Sequence, residues 1–219
     1  MPLYIISTPI GNLKDITFRA IETLSEVDLI LAEDTRRTQT LLTHYDIVKP
    51  LESFNDHNKE HSTPTIINKL KKQKSIALVS DSGTPCISDP GFYLVREATK
   101  NKIQISPIPG PNAALAALTI SGLPTDKFTF HGFPPKKIKA KELFFINIKH
   151  SKTTSIIYES PHRIQKTLAL MAKVMPKSNI VIARELTKKF EETYRGTAKE
   201  LAETLAKKSL KGEITIVIH

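Results

Sequence analysis

The sequence predicts an α/β protein of two domains, and three observations indicate this class. Short apolar runs of strand length alternate with longer segments of helical period along most of the chain. The 219 residues exceed the roughly 100 to 150 of a usual single domain. The polar turn at residues 121–124, Ser-Gly-Leu-Pro, ends a helical segment and is the best linker candidate. We therefore expect one α/β domain over residues 1–120 and a second over residues 125–219.

The first half reads as a series of strands that are each followed by a helix. Because parallel strands need crossover connections, this order predicts a mainly parallel sheet. The expected strands are residues 3–6, 29–32, 76–79 and 103–108, and the expected helices are residues 16–24, 35–45, 63–72, 92–100 and 113–119.

The second half continues the alternation with a less regular pattern. The segment 191–197 reads as an additional strand with a solvated face, so we expect a partly antiparallel, mixed sheet. The other expected strands are residues 128–131, 154–158, 179–183 and 213–218, with helices at residues 140–148, 164–174 and 198–207.

Charge is divided unequally between the halves. Residues 1–110 carry 13 basic and 13 acidic side chains, whereas residues 111–219 carry 19 basic and 9 acidic ones. A polyanion bound by the second half would explain this excess, and a solvated lysine-rich surface explains it equally well. The longest apolar run is six residues, so we expect no membrane span. The start lacks the basic flank of a signal peptide, and Cys86 is the one cysteine, so we expect a cytoplasmic protein.

Several common chemistries are excluded by spacing. No two of the eight glycines stand one residue apart, and no pair has the Walker A spacing, so dinucleotide and P-loop fingerprints are absent. The seven histidines form no recognised zinc motif, and we expect no catalytic metal. Cys86 has no adjacent histidine, which favours a space-filling role over a nucleophilic one.

Polar turns rich in glycine and proline follow the expected strands of the first half. The longest, residues 80–91, directly follows the apolar run 76–79. The others are residues 7–12, 32–36 and 109–112. In a parallel sheet all four emerge at one edge, where ligands of α/β proteins bind. Each turn alone could be a tight connection, but together they predict a cofactor or substrate site.

The motifs in these turns resemble those of the tetrapyrrole methylase superfamily, and within it those of ribosomal RNA methyltransferases. The resemblance covers nearly the whole chain and includes Thr-Pro-Ile-Gly-Asn at 8–12, Glu-Asp-Thr-Arg at 33–36, Phe-Asn-Asp-His-Asn at 54–58, the 80–91 turn, Pro-Gly-Pro at 109–111, Gly-Phe at 132–133, Tyr-Glu-Ser-Pro-His-Arg at 158–163, Arg-Glu-Leu-Thr-Lys at 184–188 and Gly-Glu-Ile at 212–214.

The resemblance implies a fold, a cofactor and an activity. It implies a tetrapyrrole methylase-like fold of two α/β domains, with S-adenosylmethionine in the inter-domain cleft and a homodimeric assembly. It further implies methyl transfer to the ribose 2′-hydroxyl of a cytidine in the decoding region of 16S rRNA, in free RNA or in the small ribosomal subunit. Similar enzymes often carry a further C-terminal helical segment, so we expect weaker RNA binding if that segment normally grips RNA.

The resemblance also assigns cofactor contacts by position, many of them through backbone groups. For Tyr158, Leu186 and Ile214, core packing is the competing interpretation. The implied contacts are Pro9, Ile10, Asp81, Gly83, Thr84, Pro85, Ile87, Asn112, Ala113, Tyr158, Glu159, Leu186 and Ile214.

Two carboxylates are candidates for removing the proton of the attacking hydroxyl. Asp34 and Glu185 each follow a strand end and could accept it. The alternatives are that Asp34 caps the next helix and that Glu185 pairs with Arg184 or Lys188.

A basic segment after Gly132-Phe133 is the candidate RNA contact. It carries Lys136, Lys137, Lys139 and Lys141, and a solvated loop is the alternative. Arg36, Arg37 and Arg163 lie beside the motif turns and are expected to meet RNA near the target.

Two other functions stay open at this point. One is a tetrapyrrole C-methyltransferase of the same fold, whose acidic substrate would also favour a basic surface. The other is a non-catalytic RNA-binding module in ribosome assembly.

Overall fold

The computed structural model describes residues 2–219 and consists of two compact units, one ending at Asn112 and the other beginning at Ala113. The helix at residues 113–119 therefore groups with the second unit, whereas the expected boundary at residues 120–125 assigns it to the first. None of the helices in residues 2–219 is long and apolar enough to cross a membrane.

The first unit is built on a parallel sheet of five strands in the order β3-β2-β4-β1-β5. Its strands are β1 Leu3–Ile6, β2 Leu29–Ala32, β3 Leu51–Ser53, β4 Ile76–Val79 and β5 Ile105–Ile108. Its helices are α1 Phe18–Glu26, α2 Thr35–His44, α3 Lys59–Lys71 and α4 Phe92–Lys100. All residues of β2 and β4 are buried, which explains their unbroken apolar sequences.

The second unit contains a mixed sheet of five strands in the order β6-β7-β10-β8-β9, as the alternating pattern of its sequence predicts. Its strands are β6 Phe128–Phe130, β7 Thr154–Glu159, β8 Asn179–Arg184, β9 Glu192–Thr197 and β10 Ile214–Ile218. Its helices are α5 Ala113–Thr119, α6 Ile138–His150, α7 Ile164–Val174 and α8 Ala198–Leu205. Phe145, Leu168 and Ile216 lie at the centre of its core.

Candidate functional site

The turns after β1 and β4 are joined directly by backbone hydrogen bonds. The Thr8 amide donates to the Gly83 carbonyl at 2.9 Å, and the Gly83 amide donates to the Thr8 carbonyl at 3.0 Å. The Thr8 hydroxyl also donates to the Ser80 carbonyl at 3.2 Å. Gly83 has φ of +79°, a conformation that glycine adopts without strain. The expected convergence of these two turns at one edge of the sheet is therefore present in the first unit.

A chain of hydroxyl and amide groups brings in the turn after β5. The hydroxyls of Ser7 and Thr84 lie 3.0 Å apart, and the Thr84 hydroxyl lies 3.2 Å from the Pro111 carbonyl. The Asn112 side-chain amide donates to the Thr84 hydroxyl at 3.3 Å. Three strand ends thus share one polar network of uncharged groups.

Asp81 connects the end of β4 to the end of β2. Its Oδ1 accepts the Asp34 amide at 2.9 Å, and its Oδ2 lies 3.5 Å from Nη1 of Arg37. A cavity of about 100 Å³ lies beside this contact, lined in part by Thr8, Pro9 and Ser80. That volume is well below the roughly 300 Å³ of a small-molecule pocket, so this cavity alone does not hold a nucleoside cofactor.

Asp34 caps helix α2, which was the alternative to its role as a general base. Its side chain accepts the Arg36 amide at 2.9 Å as the N-cap of α2, and it forms an ion pair with the Arg36 guanidinium at 2.6 Å. These hydrogen bonds from Arg36 lower the pKa of Asp34 to about 2. A carboxylate with so low a pKa is a weak proton acceptor, so the geometry argues against Asp34 as a general base.

Glu185 is also committed to structural contacts. Its Oε1 accepts the Glu213 amide at 2.9 Å and the Lys188 ammonium at 2.9 Å. Although partial burial opposes the change, the Glu213 and Lys188 hydrogen bonds hold the pKa of Glu185 below its usual value. The pairing with Lys188 agrees with the alternative interpretation, whereas Arg184 pairs with Glu192.

Two other carboxyl groups at the strand ends, those of Asp89 and Glu33, have raised rather than lowered pKa values. Burial, and then the charge of Glu33, raise the pKa of Asp89 to about 7. Burial, and then the charge of Asp81, raise the pKa of Glu33. Burial also raises the pKa of the Cys86 thiol to about 11, so the thiol stays protonated at neutral pH and is a poor nucleophile.

The cofactor contacts expected in the first unit divide by exposure. Pro9, Ile10, Gly83 and Pro85 are buried, so contacts from these residues would come through limited backbone or ring edges. Ile87 is 40% exposed and presents a free apolar surface. Asp81, Thr84 and Asn112 are half-buried, as is Ala113, the first residue of the second unit.

The contacts expected in the second unit are mostly core residues. Ile214 belongs to the hydrophobic core, and Leu186 is 9% exposed. The Tyr158 ring is half-buried, with edge contacts to Phe130 and Phe133. The Glu159 side chain has no exposed surface, so a ligand contact from Glu159 would have to come from its backbone.

The basic segment is only partly a loop, and one of its four lysines is buried. Lys136 and Lys137 precede α6 and are exposed, and Lys139 is exposed in its first turn. Lys141 is 6% exposed, and its ammonium donates to the Thr167 hydroxyl at 3.0 Å. The ammonium of Lys141 therefore does not face solvent, which disfavours its predicted contact with RNA, because α6 turns this side chain inward.

The three expected RNA-contacting arginines are all paired within the protein. The side chain of Arg36 is 88% exposed and that of Arg37 is 63% exposed, with Asp34 and Asp81 as their respective partners. Both retain enough exposed surface to meet a phosphate. The Arg163 side chain is 24% exposed, and its Nε lies 3.0 Å from Oε1 of Glu159.

Several residues that shape the strand ends are missing from the expected set. Ser7 and Ser80 are buried members of the polar network, and Glu33 and Asp89 carry the raised pKa values. All four residues lie within the polar turns that the sequence analysis identified. Their burial could not be predicted, because the sequence pattern of these turns does not show which side chains face inward. Within residues 2–219, no group of three or more His, Cys, Asp or Glu side chains could hold a metal ion.

Comparisons with known proteins agree with the motifs. The sequence model of the tetrapyrrole (corrin/porphyrin) methylases matches residues 2–202. The chain is 48% identical to ribosomal RNA small subunit methyltransferase I of Halalkalibacterium halodurans over 99% of this chain and 75% of the relative. It is 45% identical to the protein of the same name from Thermotoga maritima, over 99% of this chain and 97% of the relative. The crystal structure of the methyltransferase CobJ is similar with a TM-score of 0.72 and 15% identity, over 99% of this chain and 93% of that one.

Proposed function

Because this chain belongs to the ribosomal RNA small subunit methyltransferase I family of tetrapyrrole methylases, we propose that it methylates the ribose 2′-hydroxyl of a cytidine in 16S rRNA. The proposed methyl donor is S-adenosylmethionine, and the proposed target lies in the decoding region of the small subunit. The main support for the proposal is that the turns after β1, β4 and β5 are joined by hydrogen bonds. These turns contain motifs of the family.

The donor groups at these strand ends suit the proposed cofactor. The shared network of Ser7, Thr84 and Asn112 offers uncharged hydrogen-bonding groups of the kind that recognise ribose and adenine. Burial and neighbouring carboxylates raise the pKa values of Glu33 and Asp89, and a sulfonium cation placed beside them would favour their ionised forms by supplying the opposite charge. S-adenosylmethionine would supply the electrophilic methyl group, and the contacts expected from the second unit stay predictions.

The protein's contribution to such a reaction is mainly alignment and exclusion of water. Transfer from a sulfonium cation is an in-line displacement in which charge disappears, so holding the two reactants in line removes much of the barrier. The pairing of Asp34 and of Glu185 leaves neither carboxylate well suited to take the hydroxyl proton. We therefore assign these two residues to the architecture of their turns.

The proposed RNA contacts are the exposed cations Arg36, Arg37, Lys136, Lys137 and Lys139. The positive excess of the second half supports the assignment of the three lysines, since lysines release counterions from phosphates. We further propose a cytoplasmic homodimer. Leu143 at 58% and Ile146 at 37% exposure lie three residues apart on α6 and form an apolar patch that a second copy could bury.

Labelled methyl transfer tests the proposed function. Purified protein is incubated with radiolabelled S-adenosylmethionine and with small subunits or 16S rRNA from a strain that lacks the modification. Ribose label on a cytidine is the expected result. Absence of label, with RNA binding retained, would favour the non-catalytic module, and label confined to a porphyrinogen substrate would favour the tetrapyrrole C-methyltransferase.

A further inference from the structure

Glu159 lies at the end of β7 with its side chain fully buried. Its Oε1 accepts the Ser160 amide at 2.7 Å, and its Oε2 accepts the Thr167 hydroxyl at 2.6 Å. Both oxygens are therefore satisfied by neutral donors from the turn after β7 and from α7. A buried carboxylate still needs opposite charge nearby, because burial without it is costly.

Two cations supply that charge from different directions. The Arg163 Nε lies 3.0 Å from Oε1, and the Lys141 ammonium lies 3.7 Å from Oε2. Arg163 Nη2 donates a long hydrogen bond to Oε2 at 3.4 Å, whereas its buried Nε lies close to Oε1 without making a hydrogen bond. Burial lowers the pKa of Lys141, and the charge of Glu159 opposes that change. One carboxylate thus holds one side chain from α6 and one from the start of α7.

The same two cations stand at the two ends of the basic segment, residues 134–141. Arg163 Nη2 donates to the carbonyl oxygen of buried Pro134 at 2.8 Å, which fixes the start of the segment. Lys141 is itself the last residue of the segment and is fixed by Thr167 and Glu159.

Between the two fixed ends, the segment shows its remaining charges to solvent. Lys136, Lys137 and Lys139 are exposed, and Lys137 stands at the N-cap of α6 without a side-chain cap hydrogen bond. No partner for their ammonium groups appears among the ion pairs of residues 2–219. We call residues 134–141 the arch: Arg163 binds it at Pro134, Thr167 and Glu159 bind it at Lys141, and the three exposed lysines lie between these two points.

We propose that Glu159 and Arg163 are positioning residues for RNA binding: they hold the arch so that Lys136, Lys137 and Lys139 meet consecutive backbone phosphates as one preformed set. Phosphate contacts set the register of a protein on nucleic acid, and fixing the backbone beforehand lowers the ordering cost of binding. The RNA part of this inference rests on the proposed function, whereas the anchoring of the arch does not.

Positioning and direct contact by Arg163 predict different salt dependence. The logarithm of the binding constant falls with the logarithm of the salt concentration, and the slope is the steepness of this fall. Removing one direct phosphate contact decreases the slope by about one. Loss of the arch would release three lysines together, so we expect Arg163→Ala to decrease the slope by about two to three. Arg163→Lys keeps the charge but loses the planar fork that reaches both Glu159 and Pro134, so we expect a similar decrease.

The experiment measures binding of a 16S rRNA fragment between about 50 and 300 mM salt for these two variants. Arg195→Ala is the matched control, because Arg195 also belongs to the second unit and donates to a carbonyl, that of Ile120, at 2.6 Å. We expect this control to lower the slope by at most about one. A decrease of about one or less for Arg163→Ala, with Arg163→Lys unchanged, would assign Arg163 to direct contact and overturn the proposal.

A second measurement uses the triple variant Lys136→Ala, Lys137→Ala, Lys139→Ala. Adding Arg163→Ala to this background should cause no further loss of affinity, because the arginine acts through these lysines. A further loss as large as in the unaltered protein would contradict the inference.

Hydrogen exchange of the free protein tests the anchoring without RNA. Amides of residues 141–144, the first in α6 with intrahelical carbonyl partners, should exchange at least about tenfold faster in Arg163→Ala and in Arg163→Lys than in Arg195→Ala, while protection of β8 and β10 is retained. Unchanged exchange of these amides would show that Arg163 does not hold the arch. If the unaltered protein binds no 16S rRNA, the proposed function fails, and the exchange result still decides the anchoring.

Discussion

The two units accommodate buried carboxylates in opposite ways. In the first unit, Glu33 and Asp89 have raised pKa values, and after burial the strongest influence on each is another carboxylate. In the second unit, Glu159 is more deeply buried but has two cations and two neutral donors. The carboxyl groups of the first unit are poorly balanced by cations, as is typical of ligand sites. Glu159 of the second unit is paired with cations and stabilises the fold.

Removing the charge of Glu159 should have the largest effect on stability. Glu159→Gln leaves the buried Lys141 and the half-buried Arg163 without their counter-charge, so we expect a loss of about 3 kcal/mol in the free energy of unfolding. Glu142→Gln is the control, because its partner Lys173 is 72% exposed, and we expect about 0.5 kcal/mol or less. Urea unfolding measures both, and equal losses would contradict the contrast between the units.

Gly212 tests the second compensated carboxylate, Glu185. A Cβ at this position would lie 2.2 Å from Oε1 of Glu185, and φ is +86°. Gly212→Ala should therefore displace the carboxylate and destabilise the protein by about 2 to 4 kcal/mol. Gly122→Ala is the matched control, since φ is +73° there but no atom lies within 4 Å of the added Cβ. We expect about 1 kcal/mol for this control in thermal or urea unfolding, and equal costs would mean that Glu185 moves freely.

Asp89 should make the first unit less stable as pH rises. Its folded pKa of about 7 lies above the usual aspartate value of 3.8, so between these two pH values the folded state retains a proton that the unfolded state has released. The folded state is thus favoured at low pH, and that stability is lost as pH rises through about 7. Asp89→Asn should gain about 1 to 2 kcal/mol relative to the unaltered protein between pH 5 and pH 8, after allowance for water that still reaches the group. A gain that does not depend on pH would contradict the raised pKa.

Asp34 should show the smallest effect on the reaction. Because its carboxylate is paired with Arg36, we expect Asp34→Ala to change turnover by less than about threefold, a change below the range for loss of a general base. Methyl transfer and S-adenosylmethionine binding are measured in parallel. A fall of a hundredfold in turnover with unchanged cofactor affinity would restore Asp34 to the chemistry.

Much of the fold follows from the sequence because its local signals agree. The strands β1, β2 and β4 and the helices α4, α5 and α7 begin and end where the pattern predicts them. The strand β3 was not predicted, because an edge strand of three residues with one half-buried side chain has almost no periodicity. Helix α3 begins at Lys59 rather than near residue 63. Pro64 therefore lies inside the helix and does not mark its first turn.

The site was less predictable, since burial depends on contacts across the sheet. Four closely spaced lysines look alike in sequence, but Lys141, Phe145 and Ile148 follow the spacing of one buried helix face. That spacing could have separated Lys141 from its neighbours. The convergence of Glu33 and Asp89 arises because β2 and β4 are adjacent strands, and strand order is a property of topology that local pattern does not contain.

The paired amides and carbonyls of Thr8 and Gly83 have a thermodynamic consequence for ligand capture. They hold together two turns that are about 75 positions apart in the chain, so both turns are already ordered before a ligand binds. Little conformational entropy then remains to be surrendered on association, and affinity can arise from a modest number of contacts.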